Sequence, residues 1–280
     1  MAPQIWINGQ VLPMADARIS PFDHGLLVGD GVFETLVARN GVPFAVLEHW
    51  QRLVRSCEIL GLQPLPWEDF QEAIAAVLQA NGLADARVRV TLTSGDGPLG
   101  SDRGSGQGTV LVTATELNSW PPTERVTLVP WTRNENGALA GVKSVSYAEN
   151  VRALAYAKAR DCKEALLANT RGEVCEGTGS NVFLVIGGQL KTPPLSSGCL
   201  AGVTRLLVLQ ACAGAGIACA EEAIPVSALR DCGEAFLTSS TRDVHPIAEI
   251  DGRTLPEAPG KLTLAVQAAF VDLVRRRGGK

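Results

Sequence analysis

The sequence predicts an α+β fold in each of two halves. Strands come as hairpins, marked by the turn pairs Asn8-Gly9, Gly187-Gly188 and Asp251-Gly252. Helical periodicity appears singly or in pairs and does not alternate strictly with strands, as a doubly wound sheet requires. A Pro-Pro pair in ELNSWPPT, residues 116–123, reads as the hinge between the halves.

The elements follow in order. Ile5-Trp6-Ile7 and Gln10-Val11-Leu12 flank the first turn. Residues 31–38, GVFETLVA, read as a strand, and Arg39-Asn40-Gly41 turns it into 42–45. Residues 47–61 read as a helix with Leu53, Val54, Cys57 and Leu60 on one face and Gly61 at its stop. A second helix, 68–80, carries Phe70, Ile74, Val77 and Leu78 and ends at Asn81-Gly82. Val88, Val90 and Leu92 alternate with Arg87, Arg89 and Thr91, the pattern of a half-buried strand. Residues 94–108 hold six glycines in fifteen positions and read as an exposed loop of the kind that forms lids. A strand at 109–115 closes the first half. The expected division is a small domain at 1–115, a linker at 116–124 and a large domain at 125–280.

The second half opens with a strand at 125–131 and a helix at 147–162. Short strands are expected at 165–167, 182–186 and 189–191, then a helix at 202–214 and strands at 235–238 and 246–250. A closing helix, 261–277, has basic residues in its last turn, where they complement the helix dipole.

Composition excludes several classes. Lys plus Arg is 25 against 29 for Asp plus Glu, a net charge of -4, so a general electrostatic grip on nucleic acid is not expected. No stretch approaches the ~20 apolar residues of a membrane span, and the N-terminal MAPQIWINGQ lacks a secretory signal pattern. A cytoplasmic location is expected. The seven cysteines have no CxxC spacing and the three histidines are scattered, so neither a disulfide framework nor a metal site is expected.

Five short stretches carry possible chemistry. Lys143, in GVKSVSYAEN, stands between Val142 and Val145 at a strand-to-helix junction, where partial desolvation favours a nucleophilic amine. Glu176 enters a buried strand, which is costly for a carboxylate unless an arginine, a lysine or a protonated ring nitrogen meets it. In CLAGVTRLLVLQ, Val203 and Thr204 occupy the first turn of a helix, whose free N–H groups suit an anion or phosphate. Thr238 to Thr241 form four consecutive hydroxyls at a strand end. Arg52 sits beside core-facing Leu53 on the helix edge.

With their flanks, these stretches resemble the class IV aminotransferases, the fold-type IV pyridoxal-phosphate (PLP) enzymes. The resemblance runs through GDGVFETL, EHWQRLVRS, VKSVSYAEN, EALL, EGTGSNVF, LAGVTR and EAFLTSSTRDVHPIAEIDG, from residue 29 to residue 252. It implies two α+β domains, each a sheet or small barrel flanked by helices, in a homodimer. It implies Lys143 as Schiff-base lysine and proton shuttle, and Glu176 as partner of the pyridine nitrogen. It further implies Arg52, Val203, Thr204 and Ser240 at the phosphate, Leu200 against the cofactor ring and Tyr147 close to the cofactor. Phe33 and Thr241 resemble substrate-pocket positions.

The family includes transaminases of several substrate classes and a lyase. The expected activity is transfer of an amino group between a D-amino acid or (R)-primary amine and a 2-oxo acid. The alternatives are 4-amino-4-deoxychorismate lyase, branched-chain L-amino acid aminotransferase and an inactive relative. Phe33 stands where D-alanine enzymes typically carry tyrosine, and ARVRVTLTSG at 86–95 is a poor match to the branched-chain pattern. Arg103, in the glycine-rich loop, is the expected grip on a substrate carboxylate, with Arg39 and Arg242 as rivals.

Overall fold

The computed structural model describes residues 2–104 and 107–278. The chain forms two compact units. One runs to Asn118 and includes Val142–Tyr147; the other comprises Ser119–Gly141 and the chain from Ala148 onward. The Pro121-Pro122 pair thus lies in the second unit, and the Lys143 segment lies in the first.

In the first unit, β1 (Gln4–Ile7) and β2 (Gln10–Pro13) form a hairpin through Asn8 and Gly9, whose φ values of 46° and 89° suit the twist of the strands. A short helix α1 (His24–Leu27) precedes β3 (Gly31–Arg39) and β4 (Val42–Pro43). Helices α2 (Val46–Leu60) and α3 (Trp67–Asn81) both end on a left-handed glycine, Gly61 and Gly82, where a helix C-terminus favours a residue without Cβ. Strands β5 (Ala86–Thr93) and β6 (Val110–Glu116) complete an antiparallel sheet of order β2-β1-β6-β5-β3-β4. Period-two alternation sends Val88, Val90 and Leu92 into a core with Val32, Leu36, Leu53, Phe70 and Ile74. Arg87, Arg89 and Thr91 are thereby left on the other face.

In the second unit, β7 (Glu124–Arg133), α4 (Ala148–Lys158), β8 (Glu164–Asn169) and β9 (Val174–Gly177) come first. They are followed by β10 (Asn181–Ile186), β11 (Gln189–Thr192), α5 (Val203–Gly214), β12 (Cys219–Glu221) and β13 (Cys232–Ser239). Strands β14 (Asp243–Ile250) and β15 (Arg253–Thr254) and helix α6 (Lys261–Arg276) end it. The mixed sheet has the order β12-β11-β10-β13-β14-β7-β8-β9, with β15 on β14. Its core joins Val126, Leu166, Val182, Leu184, Leu237 and Ile247, and Phe183 stacks on Phe236 at 4.9 Å. Helix α4 covers β7 and β8 through Ala153, Ala157, Val129 and Leu167.

The α+β expectation holds, with differences at several ends. The helix expected over 147–162 spans only Ala148–Lys158, because Tyr147 belongs to an extended segment tied to β3. The strand expected at 246–250 starts at Asp243, since its first residues pair with the hydroxyl-rich end of β13. In the glycine-rich loop, Ser105 and Gly106 lie outside the described residues. The rest is anchored: Asp96 bridges Asp23, and the His24 ring meets the Pro98 carbonyl at 2.8 Å. Among the described residues all seven cysteines are free, no His/Cys/Asp/Glu group could hold a metal, and no helix is long and apolar enough to cross a membrane.

Candidate active site

In the first unit, Lys143 is held by its backbone. Its carbonyl accepts from the Phe33 N–H (2.9 Å), and its own N–H donates to Ser56 Oγ (3.3 Å). Val145 N–H donates to the Gly31 carbonyl, and Ser144 bridges Val32. A Cβ at Gly31 would stand 2.6 Å from the Leu92 carbonyl oxygen on β5 and 3.2 Å from Val145 Cγ2, so glycine lets β3 lie close to both. The half-buried Lys143 Nζ lies 4.4 Å from the Phe33 ring centroid. The Tyr147 ring meets Phe33 edge-on at 5.3 Å, and the Arg89 guanidinium lies 3.7 Å over it. Lys143, Phe33 and Tyr147 thus converge, and Arg89 joins them from β5.

Arg89 carries no ion pair among the described residues; its Nε donates to the Thr91 hydroxyl. Burial, and after it the charge of Arg87, pulls its pKa below the ordinary arginine value. A half-buried guanidinium with an aromatic face and a hydroxyl, but no carboxylate beside it among the described residues, marks a position for an anion. In sequence, Arg89 is only the polar half of an alternating strand. The signal that could have found it is its place on β5: a half-buried arginine two residues out of register with Phe33 on the neighbouring strand, on the same face.

The opposite face of β3 carries Glu34, fully buried between Val32 and Leu36. Arg52 grips it with two nitrogens, Nε to Oε1 at 2.7 Å and Nη2 to Oε2 at 2.8 Å, and His49 Nδ1 meets Oε2 at 2.7 Å. Burial alone would raise the Glu34 pKa, but Arg52 first and His49 next hold it well below the carboxylate range. Burial also depresses the His49 pKa, against the pull of Glu34. Arg52, His49 and Ser56 recur at three- and four-residue spacing on α2 and so share one helix face along the Lys143 segment. Replacing Glu34 by Gln leaves a buried guanidinium without its charge partner. A loss of about 3–5 kcal/mol is expected in urea unfolding. The stabilisation is present above the unfolded glutamate pKa of about 4.3 and is lost as pH falls through the lower folded value, so Glu34→Gln also lacks that share of the acid slope.

Arg103 has a different setting from the one expected. Its fork closes on Asp30, with Nε and Nη2 each 2.6 Å from a carboxylate oxygen, and Nη1 donates to the Gly61 carbonyl. That pair depresses the Asp30 pKa through the Arg103 hydrogen bond, against burial.

In the second unit, Glu176 sits on β9, 7% exposed. Its Oε1 accepts from Arg133 Nη1 at 2.5 Å, and its Oε2 from the Leu200 N–H at 3.0 Å and Asn181 Nδ2 at 3.4 Å. The cation expected to meet this carboxylate is therefore Arg133, which nothing in its local sequence singles out. Asn181 also donates to the Leu200 carbonyl (2.9 Å). A Cβ at Gly202 would stand 1.9 Å from Asn181 Oδ1, so glycine is required there. Gly202 is the N-cap of the twelve-residue α5 and contributes no side-chain cap. The first turn holds buried Val203 and Thr204, at a helix end whose N–H groups have no intrahelical partner. Ser240 and Thr241 lie in the turn between β13 and β14, where Trp120 Nε1 donates to the Thr241 carbonyl at 2.8 Å. Arg242, a rival anchor, packs 4.0 Å over the Trp120 ring and faces Glu124 (3.5 Å) and Glu164 (3.7 Å).

A family profile described as Amino-transferase class IV matches residues 31–250. The chain belongs to the class IV aminotransferases. It is 36% identical, over 99% of its length and 98% of the relative's, to a Methanocaldococcus jannaschii protein provisionally named branched-chain-amino-acid aminotransferase. It is 30% identical to the D-alanine aminotransferase of Bacillus licheniformis, over 97% of each chain. Among solved structures it is similar to the T.th. branched-chain amino acid aminotransferase complexed with N-(5'-phosphopyridoxyl)-L-glutamate. That likeness has a TM-score of 0.90 and 27% identity, and covers 100% of this chain and 96% of that one. As a class IV aminotransferase, this protein is a PLP-dependent enzyme of fold type IV that works on an amino donor and a keto acid.

Proposed function

We propose that this class IV aminotransferase is of the branched-chain type, moving the amino group of an apolar L-amino acid to 2-oxoglutarate. This replaces the D-amino acid or (R)-amine reading put first on sequence grounds. Arg103 is its candidate grip on the substrate carboxylate, and the Arg103 fork is engaged by Asp30. The observation that carries the new reading is Arg89 stacked on Phe33 beside Lys143. A ring with a guanidinium on its face offers apolar contact to a leucine-like side chain and a charge to the second carboxylate of glutamate. The relative of the same fold that holds a glutamate adduct, and the 36% identical relative, support it.

The residues present fit PLP. The start of α5, with the Thr204 hydroxyl, would hold the phosphate together with Ser240. Leu200 would pack on the ring, and Glu176, held as a buried paired carboxylate, would keep the ring nitrogen protonated. Bound there, the cofactor supplies an electron sink for the substrate's Cα–H bond. Lys143 Nζ would take and return the Cα proton, with Phe33 and Tyr147 limiting its movement and excluding water. The Thr241 turn, pinned by Trp120, would orient the substrate's α-carboxylate.

Arg89→Ala is expected to lower kcat/KM for glutamate and 2-oxoglutarate by about one to two decades, the worth of a lost charge-assisted contact of about 1.5–3 kcal/mol. The leucine half-reaction should change by less than about threefold. Arg103→Ala should lower both alike, through the loss of its hold on Asp30. Steady-state kinetics with each substrate varied separately checks this. If Arg103→Ala instead selectively removes turnover of D-amino acids, the D-specific reading returns. The exposed Phe22 and Leu26, 52% and 70% accessible, favour a homodimer, which sedimentation would report as twice the chain mass.

A further inference from the structure

We propose that Arg133 is the positioning residue of Glu176, aiming that carboxylate and keeping it ionised for the ring nitrogen of the cofactor. The proposal rests on the assignment of Glu176 to that nitrogen and goes beyond it.

Arg133 ends β7 and pairs with Asn169 on β8, and Glu176 on β9 pairs with Leu167 on the same strand. The arginine therefore reaches across β8 to its partner. A register shift between Leu128 and Thr132 re-aims the end of β7, as such irregularities do beside functional groups. Each guanidinium nitrogen has its own acceptor. Nη1 takes Glu176 Oε1 (2.5 Å), Nη2 takes Asn150 Oδ1 (2.9 Å) and Nε takes Glu149 Oε2 (3.0 Å). Asn150 in turn donates to the Thr178 carbonyl (2.5 Å), in the turn that follows Glu176. The fork cannot rotate without breaking contacts to α4 as well as to β9. Only 14% of the Arg133 side chain and 9% of the Glu176 side chain are exposed, so water screens the pair weakly.

The chemical consequence concerns one proton. Between a carboxylate and a pyridine nitrogen, the proton resides on the more basic partner. A guanidinium on Oε1 stabilises the carboxylate as an anion and lowers its proton affinity, which leaves the proton on the ring nitrogen. Without that charge, the neutral carboxylic acid and unprotonated ring become the favoured pair. No bond other than this N–H or O–H is made or broken.

The experiment uses the holoenzyme reconstituted with PLP carrying ¹⁵N in the ring, and reads the nitrogen chemical shift by NMR in wild type, Arg133→Gln, Arg133→Lys and Glu176→Gln. Wild type should show a protonated ring. Arg133→Gln should move the shift toward the unprotonated value and lower kcat by about 10- to 100-fold, the usual cost of removing an outer hydrogen-bond partner. Arg133→Lys, with one ammonium in place of the fork, should fall between them, and it is read in the same way if Arg133→Gln does not fold. A merely structural Arg133 would lower thermal stability and leave the nitrogen shift at its wild-type value in both arginine variants, which overturns the proposal. A protonated ring in Glu176→Gln overturns the assignment of Glu176, and the proposal with it.

Discussion

Replacing Lys143 by Ala is expected to abolish transamination, by on the order of 10⁶-fold, the scale of losing a covalent nucleophile. The fold should survive, because the segment is held by main-chain contacts: Phe33 N–H to the Lys143 carbonyl, Lys143 N–H to Ser56 and Val145 N–H to Gly31. The side chain gives up its place over the Phe33 ring. Among the described residues no other lysine offers a comparable setting. Lys158 is the last residue of α4, and Lys191 pairs with Glu222 at 2.6 Å on β11. Borohydride reduction followed by peptide mapping checks the assignment. Wild type should carry the reduced cofactor on the peptide containing residue 143, and the variant should carry none. A variant that keeps wild-type turnover and a reducible adduct would place the reacting amine elsewhere.

Glu176→Gln is expected to retain PLP and to slow turnover by roughly 10²-fold or more, the usual cost of removing one preorganised electrostatic partner. The amide is nearly isosteric with the carboxylate, but its single oxygen can serve only one of Arg133 and the Leu200 N–H, which bind different oxygens of Glu176. The other end then presents an NH₂ group, which donates and cannot keep a ring nitrogen protonated. Both half-reactions should slow alike, because the ring serves both. Stopped-flow absorbance of the bound cofactor with leucine, then with 2-oxoglutarate, measures each in turn. Near-normal rates in both would remove Glu176 from the ring nitrogen.

What could be read from the sequence was local. Lys143, Glu176 and the α5 start each lie within a short run whose turn residues and apolar flanks mark it out, though not its partners. The two-residue turns at Asn8-Gly9 and Asp251-Gly252 likewise follow from residues that tolerate positive φ. What escaped was set by distant pairing. Arg89 is an ordinary polar residue on an alternating strand until β3 brings Phe33 to the same face. Arg133 and Glu176 are forty-three positions apart and meet across an intervening strand. In sequence Glu34 is one of two polar residues of GVFETLVA, and only the packing of α2 on β3 shows it gripped by Arg52 and His49. Arg103 was the converse case: a glycine-rich neighbourhood suggested a free fork, and Asp30, seventy-three positions away, engages it. Tyr147 fits a helical pattern, yet its segment pairs with β3, so α4 begins one residue later.

The most direct test of the branched-chain assignment is the amino-donor preference of the purified holoenzyme. Initial rates of 2-oxo acid formation are measured for L-leucine with 2-oxoglutarate and for D-alanine with the same acceptor. The account predicts kcat/KM for L-leucine at least about tenfold above that for D-alanine, a difference of about 1.4 kcal/mol in transition-state binding. A preference for D-alanine of that size, or release of pyruvate from aminodeoxychorismate with no turnover of either amino acid, would contradict it.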